Sequence, residues 1–354
     1  MTMTDQQQQL TISPPSSKDD VAALYSKSMD DIAAQLSAMQ HQESSSSSSS
    51  AYANIDYLQL QDTDTTNDND KASSSSSSSS RQEHILSRSK MCTWSYQLTD
   101  MTKLSRLAVI RSMNYLDRFL ATHRTNSTAS HALHDKRLYQ LISMTCLYIA
   151  IKLYEPLTMD ASLLSEISAG CYTTFEIIDM ESIILNALSW RLNGPTSQEY
   201  IPLLLGLLVK LPCEYDYDLN ILSSLYDVSL YQCELAAGSY DISIGYKFSV
   251  VALGCVMNSM EVMDDTTYLS EGARSEFMES ACDMLLGEER RQQSSREELK
   301  QEVGMVQDEL RQLFCQNSSV PSSDSDSMPA ATPSSRVHVA IVRMKKKMMM
   351  MIPR

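Results

Sequence analysis

The sequence predicts an all-α protein: two tandem five-helix units flanked by disordered N- and C-terminal tails. Three observations carry this. From about residue 87 to residue 315, Leu, Ile, Val, Met and Ala recur at helical spacing. Two segments in that region, LISMTCLYIAIKLYE (141–155) and FSVVALGCVMNSME (248–261), are both apolar and rich in small residues. Small side chains let helices approach closely, which suits one central helix in each of two units. Between them NGPT at 193–196 is the strongest punctuation in the folded region and marks the boundary of the halves.

Residues 1–86 read as a low-complexity leader. QQQQ, the Ser runs at 44–50 and 73–80, and DTDTTNDND bury too little apolar surface to offset chain entropy. One island, 19–40, sets Val21, Leu24, Tyr25, Met29, Ile32, Leu36 and Met39 on one face, and a helix is expected there. IDYLQL at 55–60 is a shorter island. The spacer 41–80 is expected to be dispensable.

The periodicity then predicts helices near 87–101, 104–122, 136–153, 159–169, 174–189, 197–210, 216–237, 241–262, 270–287 and 290–315. Thr173 with Glu176, and Thr196 with Glu199 after Pro195, have the spacing of capping boxes and open two of them. Residues 87–195 and 196–315 therefore make the two units. Residues 316–354, Ser/Pro/Asp-rich and then basic and Met-rich, make a disordered tail.

Composition excludes several function classes. Net charge is -15, which argues against gripping nucleic acid through its phosphates. The eight cysteines form no CxxC pair and mostly sit in apolar helical runs, as buried reduced thiols of an intracellular protein do. There is no GxG, no HExxH and no GxSxG, so no catalytic residue, metal or cofactor is expected. His131 and His134 are read as part of a solvated loop. No apolar run is long enough to span a membrane.

Charges embedded in apolar helix are the informative exceptions. MNYLDRFLAT (113–122) carries Asp117 and Arg118 among Met113, Leu116, Phe119 and Leu120. The two point about 100° apart on a helix, so at least one must be exposed or have a partner elsewhere. Arg88, Lys152 and Glu181 are similarly embedded.

These residues resemble the hallmark positions of the cyclin family. RSKMCTW, MNYLDRFL, LYQLISMTCLYIAIKLYE and YTTFEIIDMESIILNALSWRL resemble the first, second, third and fifth helices of an N-terminal cyclin box. The resemblance is specific over 87–196 and looser over 197–315, where it implies a C-terminal cyclin-like box. It implies that Arg88 and Asp117 form a structural ion pair, that Leu141 is structural core, and that Lys152 and Glu181 face a cyclin-dependent protein kinase. Arg118 is then expected at the helix edge. A substrate-docking patch is implied at Met91, Trp94, Gln97, Tyr139 and Gln140; Ser87 and Lys90 depart from the apolar residues usual there, so any docking of kinase substrates or inhibitors is altered.

The implied function is activation of a kinase in cell-cycle control, in nucleus and cytoplasm, by a protein that is not an enzyme and binds neither nucleic acid nor membrane. The first 80 residues hold no Arg, hence no RxxL destruction box, which favours a G1 or G1/S, D-type-like or protist-type member. The competing readings are a cyclin-box protein of transcription and a helical scaffold without a kinase. The first would want a basic surface and usually a zinc ribbon.

Overall fold

Each half is organised around one helix that has no solvent-facing side. In the computed structural model, which describes residues 27–44, 56–58, 74–155, 159–211, 219–263, 270–287 and 292–318, every residue from Leu141 to Ile151 is buried in the first half. In the second half every residue from Ser249 to Met260 is buried. These are the two segments rich in small residues. Gly254 shows why: a Cβ there would lie 2.8 Å from a Val306 methyl, so the helix after it can approach only a glycine.

Thirteen helices and no strands are found among the described residues. The first half holds α2 (Ser74–Thr102), α3 (Leu107–Ala121), α4 (Ser127–Ala132), α5 (Lys136–Tyr154), α6 (Ala161–Ile167) and α7 (Thr174–Ala187). The second holds α8 (Ser197–Lys210), α9 (Leu219–Gly238), α10 (Tyr240–Gly245), α11 (Phe248–Val262), α12 (Glu271–Leu286) and α13 (Gln293–Ser318). A leader helix, α1 (Met29–Ser44), precedes both. The full capping boxes at Thr173/Glu176 and Thr196/Glu199 open α7 and α8. No described helix is long and apolar enough to cross a membrane.

Two hydrophobic cores result, and each borrows from outside its own half. The second core takes Ile32 and Leu36 from α1 and Ile110 from α3. The first takes Tyr57 and Leu58 from the leader and Tyr240 and Ile244 from α10. The chain is therefore stitched: leader helix onto the second half, leader strap and α10 onto the first.

Five expectations are corrected here. The Ser run was expected outside the fold, yet α2 begins at Ser74. A Ser in a helix costs only a few tenths of a kcal/mol against Ala, and extending a helix already nucleated at 81–102 adds a bond for each residue fixed. The spacer 41–80 is not structureless either: it contains Glu43, Tyr57 and Leu58, all buried. The helix expected at 241–262 is broken at Tyr246–Lys247, which are extended. That break lets α10 send Tyr240 and Ile244 into the first core and Ile242 into the second, while α11 packs in the second. The region of His131 is helical, in α4, where Asn126 caps the amides of Thr128 and Ala129. Arg118 is buried rather than at a helix edge. The start expected for the leader helix at 19 and the tail beyond 318 lie outside the described residues.

Candidate partner-binding site

The polar residues of α3 settle what charges do in a buried helix: each holds a different part of the molecule. Asp117 receives a two-pronged hydrogen bond from Arg88 of α2, Nε to Oδ1 at 2.9 Å and Nη2 to Oδ2 at 2.7 Å. The same guanidinium donates through Nη1 to the Ala237 carbonyl of α9 at 2.8 Å. Tyr57 of the leader donates its hydroxyl to Asp117 Oδ1 at 3.2 Å. Side chains of Arg88 and Asp117 are only 1% and 7% exposed. Burial opposes the charge on Arg88, but the carboxylate beside it prevails and its pKa rises above the ordinary arginine value. This cluster joins leader, first half and second half at one point.

The remaining α3 groups anchor the linker between halves. Tyr115 donates to the Leu192 carbonyl and Arg118 to the Arg191 carbonyl. Arg111 donates to Glu199, the capping glutamate of α8, and stacks over the Tyr154 ring at 3.3 Å. Sequence periodicity gives no sign of these partners, because three of the five acceptor groups named for Arg88, Tyr115, Arg118 and Arg111 are backbone carbonyls. Leu141 is buried in the first core.

Lys152 and Glu181 make a second pair of different character. Lys152 ends α5, Glu181 lies mid-α7, and Nζ donates to Oε1 at 2.8 Å. Here the lysine side chain is 50% exposed and the glutamate 13%. The hydrogen bond to Glu181 is the chief reason that the lysine pKa is raised. The ammonium also lies 5.3 Å from the Tyr148 ring centre.

Around this pair the surface is unusually apolar. Leu153 follows Lys152; Ile178 and Phe175 lie one and two turns before Glu181 on α7. All three are exposed, Phe175 by 78%. Buried Ile177, Met180 and Ile184 already supply the core face of α7. Apolar residues on its outer side were thus a readable signal that the sequence reading did not use. A charged pair rimmed by exposed apolar side chains reads as a protein-contact surface.

The five docking-patch residues split. Met91 and Tyr139 are buried in the first core, and Trp94 is half-buried against it. Gln97 and Gln140 are exposed. Gln140 accepts from the Tyr172 hydroxyl at 3.1 Å. Only Trp94, Gln97 and Gln140 present an appreciable surface.

The chain is similar to known proteins mainly over its first half. The family model of the cyclin N-terminal domain matches residues 55–193, a span that begins at the buried leader strap. G1/S-specific cyclin-D1 of Danio rerio is 31% identical over 125 residues, 35% of this chain and 39% of that protein. G1/S-specific cyclin-E1 of Gallus gallus is 34% identical over 119 residues, 32% of this chain and 27% of that one. G2/mitotic-specific cyclin-2 of Antirrhinum majus is 28% identical over 205 residues, 56% and 42% of the two chains. The matches thus span less than half the length of these relatives. A solved viral cyclin from herpesvirus saimiri gives a TM-score of 0.45 at 20% identity, over 64% of this chain and 86% of that one.

Proposed function

We propose that the chain is a member of the cyclin family and that it binds and activates a cyclin-dependent protein kinase in cell-cycle control, at G1 or G1/S, in nucleus and cytoplasm. The observation that carries this is the half-solvated Lys152–Glu181 pair set among exposed Leu153, Phe175 and Ile178. Lys152 donates to Glu181 and also interacts with Tyr148, and half of its side chain stays exposed to backbone groups of a partner. The apolar rim supplies desolvated area.

The mechanism is differential affinity. In a protein kinase the β3 lysine and the αC glutamate must pair before ATP phosphates are positioned. A rigid block that packs against αC only in its active arrangement shifts the population toward it. Helices α5 and α7 are suited to this because both are rooted in the first core. The protein is then the regulatory subunit and the kinase does the chemistry. The phase rests on the sequence: no Arg, hence no RxxL box, in the first 80 residues.

Co-expression with individual cyclin-dependent kinases tests the proposal. The folded chain is expected to retain one of them through purification and to raise its activity on a generic peptide. Lys152→Ala and Glu181→Ala should lose both. A folded chain that retains and activates no kinase overturns it.

A further inference from the structure

Between the N-terminal half of α2 and the α4–α5 corner lies a recess of about 180 Å³, far more than the ~10–15 Å³ that one water needs. Ser80, Glu83, His84 and Ser87 line it from α2, spaced to share one helix face. His134 and Lys136 line it from the corner and the start of α5, and Tyr139 is common to the recess and the docking patch.

The lining is rich in donors. The Ser80 hydroxyl, imidazole N–H groups and an ammonium can donate, and the buried Tyr139 hydroxyl has no hydrogen-bond partner among the described residues; the Ser87 hydroxyl already donates to the Glu83 carbonyl, and the Glu83 carboxylate is engaged by Lys136. His84 is half-buried, and burial first and His134 second hold its pKa below the ordinary histidine value. Lys90 on α2 adds positive charge near Glu83. The nearby Asp135 carboxylate is turned to the amides of Arg137 and Leu138, capping α5. Such a lining suits a ligand with several acceptor oxygens and negative charge.

We infer that this recess binds the phosphoryl group of a phosphorylated serine or threonine in an extended partner segment. A phosphoryl group offers three oxygens to donors that come from two sides, which one carboxylate does not match. A side chain rather than a free ion is favoured because Ser87 and half-buried Trp94 are seven residues apart on one face of α2, and exposed Gln140 adjoins Tyr139, a surface along which the segment's backbone can run. Ser87 and Lys90, polar where the family's docking patch is apolar, fit the same change of ligand. The identity of the segment as a kinase substrate rests on the proposed function; the ligand chemistry does not.

An anion in the recess favours the protonated form of His84, whose pKa burial holds down, while Glu83 works against it and Lys90 and Lys136 with it. Binding therefore tightens from pH 7.5 to pH 6.5. The test uses the full chain with nine-residue Gly/Ala peptides centred on phosphoserine, serine or glutamate, and with inorganic phosphate, followed by calorimetry and by the imidazole proton signals. The phosphoserine peptide should bind saturably and shift both His84 and His134. Lys136→Ala should weaken it about tenfold, as loss of one charge-assisted hydrogen bond does. Glu83→Gln should strengthen it by freeing Lys136, a response that a merely structural role does not produce. Both variants should melt as wild type and activate the kinase on a generic peptide equally well, so failure of kinase activation and failure of phosphopeptide binding are separate results. No imidazole shift at millimolar peptide, equal binding of the serine or glutamate peptide, equally tight inorganic phosphate, or indifference to both substitutions overturns the inference.

Discussion

Two basic–acidic pairs in this molecule share the same 29-residue separation and opposite environments. Arg88–Asp117 is sealed at the junction of leader, α2, α3 and α9; Lys152–Glu181 stands at the surface of α5 and α7. Each closes one helix on another, so spacing cannot tell them apart. The difference lies in what else the charges touch. Arg88 and Asp117 together make four hydrogen bonds to described protein groups, which is what a pair removed from water requires. Lys152 and Glu181 share one hydrogen bond, and half of the lysine side chain stays in solvent. A satisfied buried pair is architecture; a half-satisfied exposed pair is an offer.

The comparison breaks hardest at Arg88. Arg88→Ala strands the buried carboxylate of Asp117 and empties the Ala237 carbonyl, and should cost about 3–5 kcal/mol. In a fold of this size that lowers the melting temperature by on the order of 10 °C. Thermal unfolding by circular dichroism measures it. A variant that melts as wild type would mean that water reaches Asp117, and the distinction between the pairs would fail.

Tyr57→Phe sharpens it further. The change keeps the ring in the first core and its edge contact with Tyr240, 5.3 Å between centres, and deletes one hydrogen bond to Asp117. Losing that donor should cost about 1–2 kcal/mol, seen as a shift in denaturant midpoint. No shift would show that the leader strap adds packing but no polar support.

How much of this was legible in the sequence follows from what each feature depends on. Central helices α5 and α11, and the capping boxes, were readable because periodicity and capping are local. The embedded charges at 88, 117, 152 and 181 were readable as anomalies. What periodicity could not give is tertiary: the strap at Asp56–Leu58, the break at Tyr246–Lys247, and the burial of Arg118. Each depends on a partner far along the chain, often a backbone carbonyl that any residue type supplies. Tyr57 hides in a short polar-flanked island, and nothing local says that Asp117 needs a third donor.

Glu43 gives a smaller effect that carries a sign. It sits in α1 and accepts from Tyr200, from the Ser249 hydroxyl and from the Ser249 amide. Burial raises its pKa above the ordinary 4.5, against the lowering by those hydrogen bonds. The folded chain therefore keeps this proton to higher pH than the unfolded chain does. Its contribution favours the fold fully below the unfolded value and is lost as pH climbs through the raised one. Glu43→Gln should remove that slope, so that the variant loses less stability than wild type between pH 4.5 and 7. Hydrogen exchange of α1 amides reads the same difference locally. Parallel pH curves would mean that Glu43 stays solvated and that α1 is held by Ile32 and Leu36 alone.

The smallest stability effect belongs to the exposed pair, and it tests the comparison from the other side. Lys152→Ala and Glu181→Ala remove groups whose charges water already screens, so each should cost about 0–1 kcal/mol. Glu181→Ala should cost the more of the two, because its side chain is the better buried. Melting curves of both should overlay wild type within a few degrees, a fraction of the shift at Arg88. Kinase retention should nevertheless be lost, since the partner's backbone groups then meet an apolar patch without its polar centre. If Lys152→Ala unfolds the chain as Arg88→Ala does, the exposed pair is architecture too, and the surface of Leu153, Phe175 and Ile178 loses its claim to be the contact face. If it leaves both the fold and the kinase complex intact, the apolar rim alone holds the partner. Phe175→Ala, which removes the most exposed apolar side chain of that rim, would then become the decisive substitution.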